Sequence, residues 1–203
     1  GIFWSMLIFM AFMMWIWIAI AIFSDIFRRQ DIGGFAKSMW IISIIFALIG
    51  LSTGVPTAPF LATGWLGTKQ LAELAAILNK LKVEDLFRII LIHHPPNSDT
   101  GRHKRLLDAP ILKRIIAAHG ADLLLHGHDH RHMVNWLHGP NGTRVPAIGV
   151  PSASSAPGRD KDAAGYNLYR IDGSRGAWRC DMISRGLGSA GAVVQQDKIK
   201  LIG

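Results

Sequence analysis

Two short apolar runs, RIILIHH ending at His94 and ADLLLHGHDH ending at His130, constrain the architecture of this chain more than any other feature. Each is a few residues long and bounded by polar or turn-forming positions, which suits a buried strand better than a helix. Between them lie the turn-rich PPNSDTGRHK and an amphipathic stretch, Pro110 to His119, with Gly120 as its stop. A further helix is predicted from about Gly67 to Lys82, where Leu71, Leu74, Ala75, Leu78 and Leu81 recur at three- and four-residue steps. ALIGL, at 47–51, reads as a short buried strand and STGVPTAPF as a loop. Strand, helix, strand, helix, strand predicts a layered α/β domain whose sites lie at strand ends. Beyond it, Val134 to Leu137, Ala147 to Val150, Tyr166 to Ile171 and Ala177 to Ile183 suggest an antiparallel meander, followed from Gly186 by a loose tail.

Both strands end in histidine. In an extended chain His126, His128, His130 and His132 would share one face with neighbours roughly 6 to 7 Å apart, too far for two ligands of one ion. Gly127 offers a sharp turn that lets His128 and His130 converge. A lone histidine at a strand end is usually a hydrogen-bonded bystander. Two such ends in one chain point instead to a shared crevice and a borderline metal such as zinc, manganese, iron or nickel. His94 is either a contact beside the site or a packing neighbour of Pro95, and Asp129 is an exposed turn residue or an orienter of histidine. Asn141-Gly142-Thr143 matches a glycosylation sequon, but Asn-Gly is first a hairpin turn.

The formal net charge is +8, with Lys and Arg scattered rather than clustered among aromatics, so nucleic acid is not an expected partner. A solvated surface or an attraction to anionic lipid accounts for it better. A single cysteine, Cys180, excludes an internal disulfide framework. The apolar content is concentrated at the start: residues 2–23 contain only Ser5 as a polar residue and, as a helix, would span roughly 33 Å, the thickness of a hydrocarbon core. A lipid bilayer is therefore an expected partner. The next apolar segment, Met39 to Leu51, is short for a span; it is a truncated second helix, an interfacial segment, or a helix running into a buried strand. Arg28, Arg29 and Lys37 hold the connector on the cytoplasmic side, and the number of crossings decides where the remaining domain lies.

The N-terminal stretch, with Asp25 to Arg29, Gly33 to Lys37 and Trp40, resembles the two-helix membrane module of cardiolipin synthases and related bacterial proteins, which implies a bacterial inner-membrane location. Residues 47 to about 183 resemble the C-terminal half of a calcineurin-like metallophosphoesterase, on TGWLGTKQLAEL, ILIHHPP and the Gly-His-x-His of LLLHGHDH. That resemblance implies an α/β class, an incomplete calcineurin-like sandwich, and hydrolysis of phosphate esters with two divalent metals (Mn, Fe or Zn). Carried over by motif, His93 and His128 would hold one metal and His130 the other, whereas His126 and His132 match no ligand position. The implied organisation is a membrane module at 1–46, the phosphoesterase-like half at 47–185 and a tail at 186–203.

The other half of that family's site is missing. No Asp-x-His, Gly-Asp or Asn-His occurs anywhere in the chain. A bridging carboxylate offsets the repulsion of two cations and helps a bound water lose its proton. Three neutral imidazoles cannot do that, so at most one weakly held ion and no catalysis by the isolated chain are expected. The junction near Phe46 and Ala47 is consistent with a rearranged or artificially joined frame. Two alternatives stand beside the incomplete hydrolase: a non-catalytic membrane protein with a histidine-rich loop that binds a metal or a partner, and a protein completed by a second polypeptide that supplies the missing half.

Overall fold

The computed structural model describes residues 10, 13, 46–54, 62–97, 101–156, 162–188 and 191–203. The chain divides into two compact units, Gly1–Ile45 and Phe46–Gly203. The apolar run at 2–23 and the connector lie outside the described residues, apart from Met10 and Met13. Among the described residues no helix is long and apolar enough to cross a membrane.

A five-stranded sheet is the frame of this unit. β1 (Phe46–Leu51), β2 (Phe87–Ile92), β3 (Leu123–His126) and β5 (Arg144–Gly149) run parallel, and β4 (Met133–His138) closes the far edge antiparallel to β5, in the order β1-β2-β3-β5-β4. The segment from Met39 to Leu51 thus ends as a strand. α1 (Gly67–Leu81) buries Leu71, Leu74 and Leu78, and α2 (Ala109–His119) buries Leu112 and Ile116. These side chains pack on one face of the sheet, against Ile49, Ile90, Ile92 and Leu124. The helix-period and strand-period apolar residues therefore meet in one layer, as the pattern predicts.

Two polar devices fix the helices. Asp108, buried at the start of α2, accepts hydrogen bonds from the backbone N–H of Leu66 (3.0 Å) and Gly67 (2.8 Å), so one carboxylate serves the positive end of α1. At the other end, Arg88 grips Asp122 through Nε (2.9 Å) and Nη2 (3.2 Å) and donates through Nη1 to the His119 carbonyl (3.2 Å). Gly120 ends α2 at φ +74, where a β-carbon would also press on Pro140 at 3.2 Å.

Part of the opposite face of the sheet is covered by a second, three-stranded antiparallel sheet, β6 (Gly165–Asp172), β7 (Arg179–Leu187) and β8 (Val193–Ile202). Phe87, Ile89, Leu123 and Ile148 meet Cys180, Met182 and Leu201 across the gap. Two expectations need correction here. The four runs from Val134 do not form one meander: β4 and β5 are an antiparallel hairpin in the first sheet, with β5 parallel beside β3, and the antiparallel succession β6 to β8 is a separate sheet. The residues from Gly186 are not a loose tail, because β7 continues to Leu187 and β8 pairs with it along its length, burying Leu201. The β4–β5 connection carries Asn141 at φ 54 and Gly142 at φ 77, so Asn-Gly is the hairpin turn expected.

Candidate metal centre

The site lies where β2 and β3 leave the sheet. β2 stops at Ile92 and delivers His93 and His94; β3 stops at His126, and the backbone N–H of Gly127 donates to the His93 carbonyl at 3.1 Å, tying the two exits together. The turn that follows differs from expectation. Gly127 is not among the residues with positive φ; the left-handed positions are His128 (φ 66) and His130 (φ 54) themselves. Non-glycine residues rarely adopt this region, at a cost on the order of 1 kcal/mol each, so the surrounding structure holds this loop against its local preference.

The loop brings His128 to His93. Nδ1 of His128 lies 3.3 Å from Nε2 of His93, with the rings nearly perpendicular at 84°. That separation is long for an N–H···N hydrogen bond. It matches the distance of about 3.3 Å that two imidazole nitrogens show when both sit at about 2.0 to 2.1 Å from one tetrahedral ion. His94 completes a group of three imidazoles whose ligand atoms all lie within 4.8 Å of one another. Its ring lies over that of His128, centroids 4.1 Å apart and tilted by 32°. His130 is not in the group.

His94 is held differently from the other two. It is buried, with Nε2 at 2.9 Å from the Ala62 carbonyl and Nδ1 at 2.7 Å from Oγ1 of Thr53. A carbonyl only accepts, so Nε2 carries the proton and Nδ1 of the neutral ring accepts from the threonine hydroxyl. The lone pair of His94 is thereby occupied. Gly64 makes this placement possible, since a β-carbon there would fall 2.5 Å from His94 Nδ1.

Electrostatics favour neutral rings. Burial lowers the pKa of His94 from its ordinary value, and the neighbouring His93 lowers it further, against the raising contacts of the Ala62 carbonyl and Asp129. For His128 burial acts first and the adjacent His94 and His93 add to it, which brings its pKa down to about 4 despite Asp129 and the Lys104 carbonyl. Burial lowers His126 as well. A neutral imidazole is the form that coordinates, so His128 meets the first requirement of a metal ligand. With His93 it fits one ion. Among the described residues the group contains no carboxylate, and nothing in it would bridge a second cation.

Of the three histidines singled out from sequence, two are brought together and one is not. Thr53, whose hydroxyl donates to Nδ1 of His94, has no signal in the sequence beyond lying just after β1. His94 was legible as a neighbour of the site, but its burial and its stacking on His128 were not.

A layered α/β domain that offers imidazoles at the ends of two adjacent parallel strands is the class that fold and site define. No known family matches the sequence, and no curated protein is similar to it. Solved structures similar to the chain include a dimetal phosphatase from Danio rerio, at 13% identity and TM-score 0.45, covering 68% of this chain and 39% of that one. Others are wild-type Vps29 complexed with zinc from Entamoeba histolytica (14%, TM-score 0.32, 76% and 97%) and GAP50 of Plasmodium (17%, TM-score 0.41, 70% and 50%). The chain thus spans well under two thirds of the phosphatase's length. Overlaps this partial do not decide the chemistry of the site, which rests on the chain's own imidazoles.

Proposed function

We propose that Phe46–Gly203 is the metal-binding half of a metallophosphoesterase-like hydrolase of phosphate esters, that it holds one divalent ion through His93 and His128, and that alone it does not turn over substrate. The observation that carries the reading is the 3.3 Å approach of Nε2 of His93 to Nδ1 of His128 at the ends of neighbouring strands. Zinc, manganese and iron suit such a donor pair, with water filling the remaining positions. A divalent ion held by His93 and His128 would supply Lewis acidity toward a phosphoryl oxygen and a bound water. The chain's own part is to keep the His128 ring neutral, to fix it by the stacked and hydrogen-bonded His94, and to anchor the loop through Gly127. His130 would be called on only by a second ion, whose bridging carboxylate this sequence lacks. Residues 2–23 would place the domain at a membrane, a reading supported by their apolar length, and the resemblance of the N-terminal stretch to a bacterial membrane module would make that the inner membrane.

Zinc titration by calorimetry, paired with a phosphodiester hydrolysis assay, tests this. Binding of one equivalent, lost in His93→Ala and in His128→Ala, with no turnover, is the expected result. Metal-dependent turnover by the isolated chain would refute the claim of incompleteness. Absence of zinc binding would refute the site.

A further inference from the structure

A cleft of about 380 Å³ opens at the end of the sheet opposite the imidazoles. Ala121 and Asp122, which line it, precede β3, and Arg88 lies at the start of β2, whereas His93 and His128 follow those strands. The six residues of β2 separate the two ends by roughly 17 Å. The walls come from four connections: the one after α1, the one after α2, the β4–β5 hairpin and the β6–β7 turn. Four lining residues are cationic, Lys82, Arg88, Arg144 and Arg175, against two carboxylates, Glu84 and Asp122. Arg88 and Asp122 pair with each other, which leaves Lys82, Arg144 and Arg175 against Glu84. Helix C-termini repel anions, and both α1 and α2 end here. The arginines meet that objection: Nη1 of Arg88 donates to the His119 and Gly120 carbonyls (3.2 and 3.4 Å), and Nη1 of Arg175 to the Val83 carbonyl (2.7 Å). Two cations are also held in place. Arg144 lies over Trp136, its Cζ 4.7 Å from the ring centroid, and the backbone N–H of Arg175 donates to the Asp85 carboxylate. Much of the remaining lining is apolar. Trp178, half-buried and set at 88° to Phe87 with centroids 5.5 Å apart, lines the cleft together with Leu86, Pro140 and Ile202.

We propose that this cleft binds a phosphate monoester carried on a flat ring, a ligand of about mononucleotide size. A phosphate dianion matches an excess of two positive charges among the lining residues better than a single carboxylate does, and guanidinium groups grip its oxygens in pairs. The volume lies in the range of sites that enclose a small molecule. A ring laid against Trp178 would bury apolar area that inorganic phosphate cannot supply. Close packing fixes the floor: a β-carbon on Gly120 would meet Pro140 at 3.2 Å and Nη2 of Arg88 at 3.4 Å, so the hairpin and the helix end approach each other only through glycine. The site is separate from the imidazole pair and needs no metal, since none of its lining residues belongs to the group formed by His93, His94 and His128.

The probe is adenosine monophosphate, titrated into the full chain by calorimetry in metal-free buffer, with adenosine and inorganic phosphate as controls. Saturable submillimolar binding is expected, with each control weaker by about tenfold or more. The double variant Lys82→Gln/Arg144→Gln should weaken adenosine monophosphate by about tenfold or more; both side chains are exposed, so the variant should fold, which an unchanged urea midpoint checks. Arg170→Gln/Lys198→Gln removes the same charge from exposed positions on the second sheet and should leave the affinity within about twofold, as should His93→Ala. Absence of binding, or equal affinity for adenosine or for inorganic phosphate, would overturn the inference. Equal losses in the two double variants would do so too, by showing attraction to net charge alone. Loss of binding in His93→Ala would also overturn it, by placing the ligand at the imidazoles.

Discussion

His94 shapes the site without needing to coordinate anything. Its two nitrogens are engaged by Thr53 and Ala62, and its ring supports His128 from below. Gly64→Ala would drive a β-carbon into that ring, so zinc affinity measured by calorimetry is expected to fall by about tenfold. Unchanged affinity would mean that His94 has no part in placing His128. Thr53→Val removes the hydroxyl that partners a buried ring nitrogen and should cost about 1 to 3 kcal/mol of stability in urea unfolding. The three histidines with lowered pKa also set the response to acid. A depressed folded pKa means that the unfolded chain takes up protons first, beginning below about 6.5. Their contribution is complete above that pH and is lost on acidification toward about 4, the value for His128. The metal-free chain should accordingly show a falling urea midpoint between pH 7 and pH 5, and His128→Ala should flatten part of that slope.

At the scale of elements, one carboxylate joins two helices. Asp108 opens α2 and caps α1, so Asp108→Ala leaves the Leu66 and Gly67 amides without acceptors and should destabilise the domain by about 1 to 3 kcal/mol, read by chemical denaturation. Asp108→Asn keeps one acceptor oxygen and should lose less. Much of this level was legible beforehand. Leu71, Leu74 and Leu78 announce α1 by their spacing, Gly120 announces the end of α2, and the apolar runs at β2 and β3 announce strands. What escaped has physical causes. VVQQDKIKLI buries little besides Leu201, because β8 is an edge strand whose pairing comes from β7, and single-strand patterning carries no trace of that. The insertion of β5 between β3 and β4 is a matter of topology. The loop after β3 was expected to turn at Gly127, since glycine is the cheapest left-handed residue, whereas tertiary contacts place His128 and His130 in that region instead. This backbone detail is what brings His128 to His93.

The whole unit is a sheet with helices on one face and a smaller sheet on part of the other, and its two ends differ in character. The end where Arg88 and Asp122 close α2 is built for stability; the end where β2 and β3 exit holds the imidazoles. Deleting 191–203 removes β8 and uncovers Cys180 and Met182, so thermal unfolding is expected to shift down by well over 10 °C or to lose cooperativity. At the other end the nitrogens of His93 and His128 would hold the ion, and X-ray absorption on the zinc-loaded full chain reads their coordination. Two imidazole nitrogens at about 2.0 to 2.1 Å with oxygen in the remaining positions are expected, falling to one in His128→Ala. A zinc spectrum without imidazole scattering, or one that His93→Ala and His128→Ala leave unchanged, would contradict this coordination.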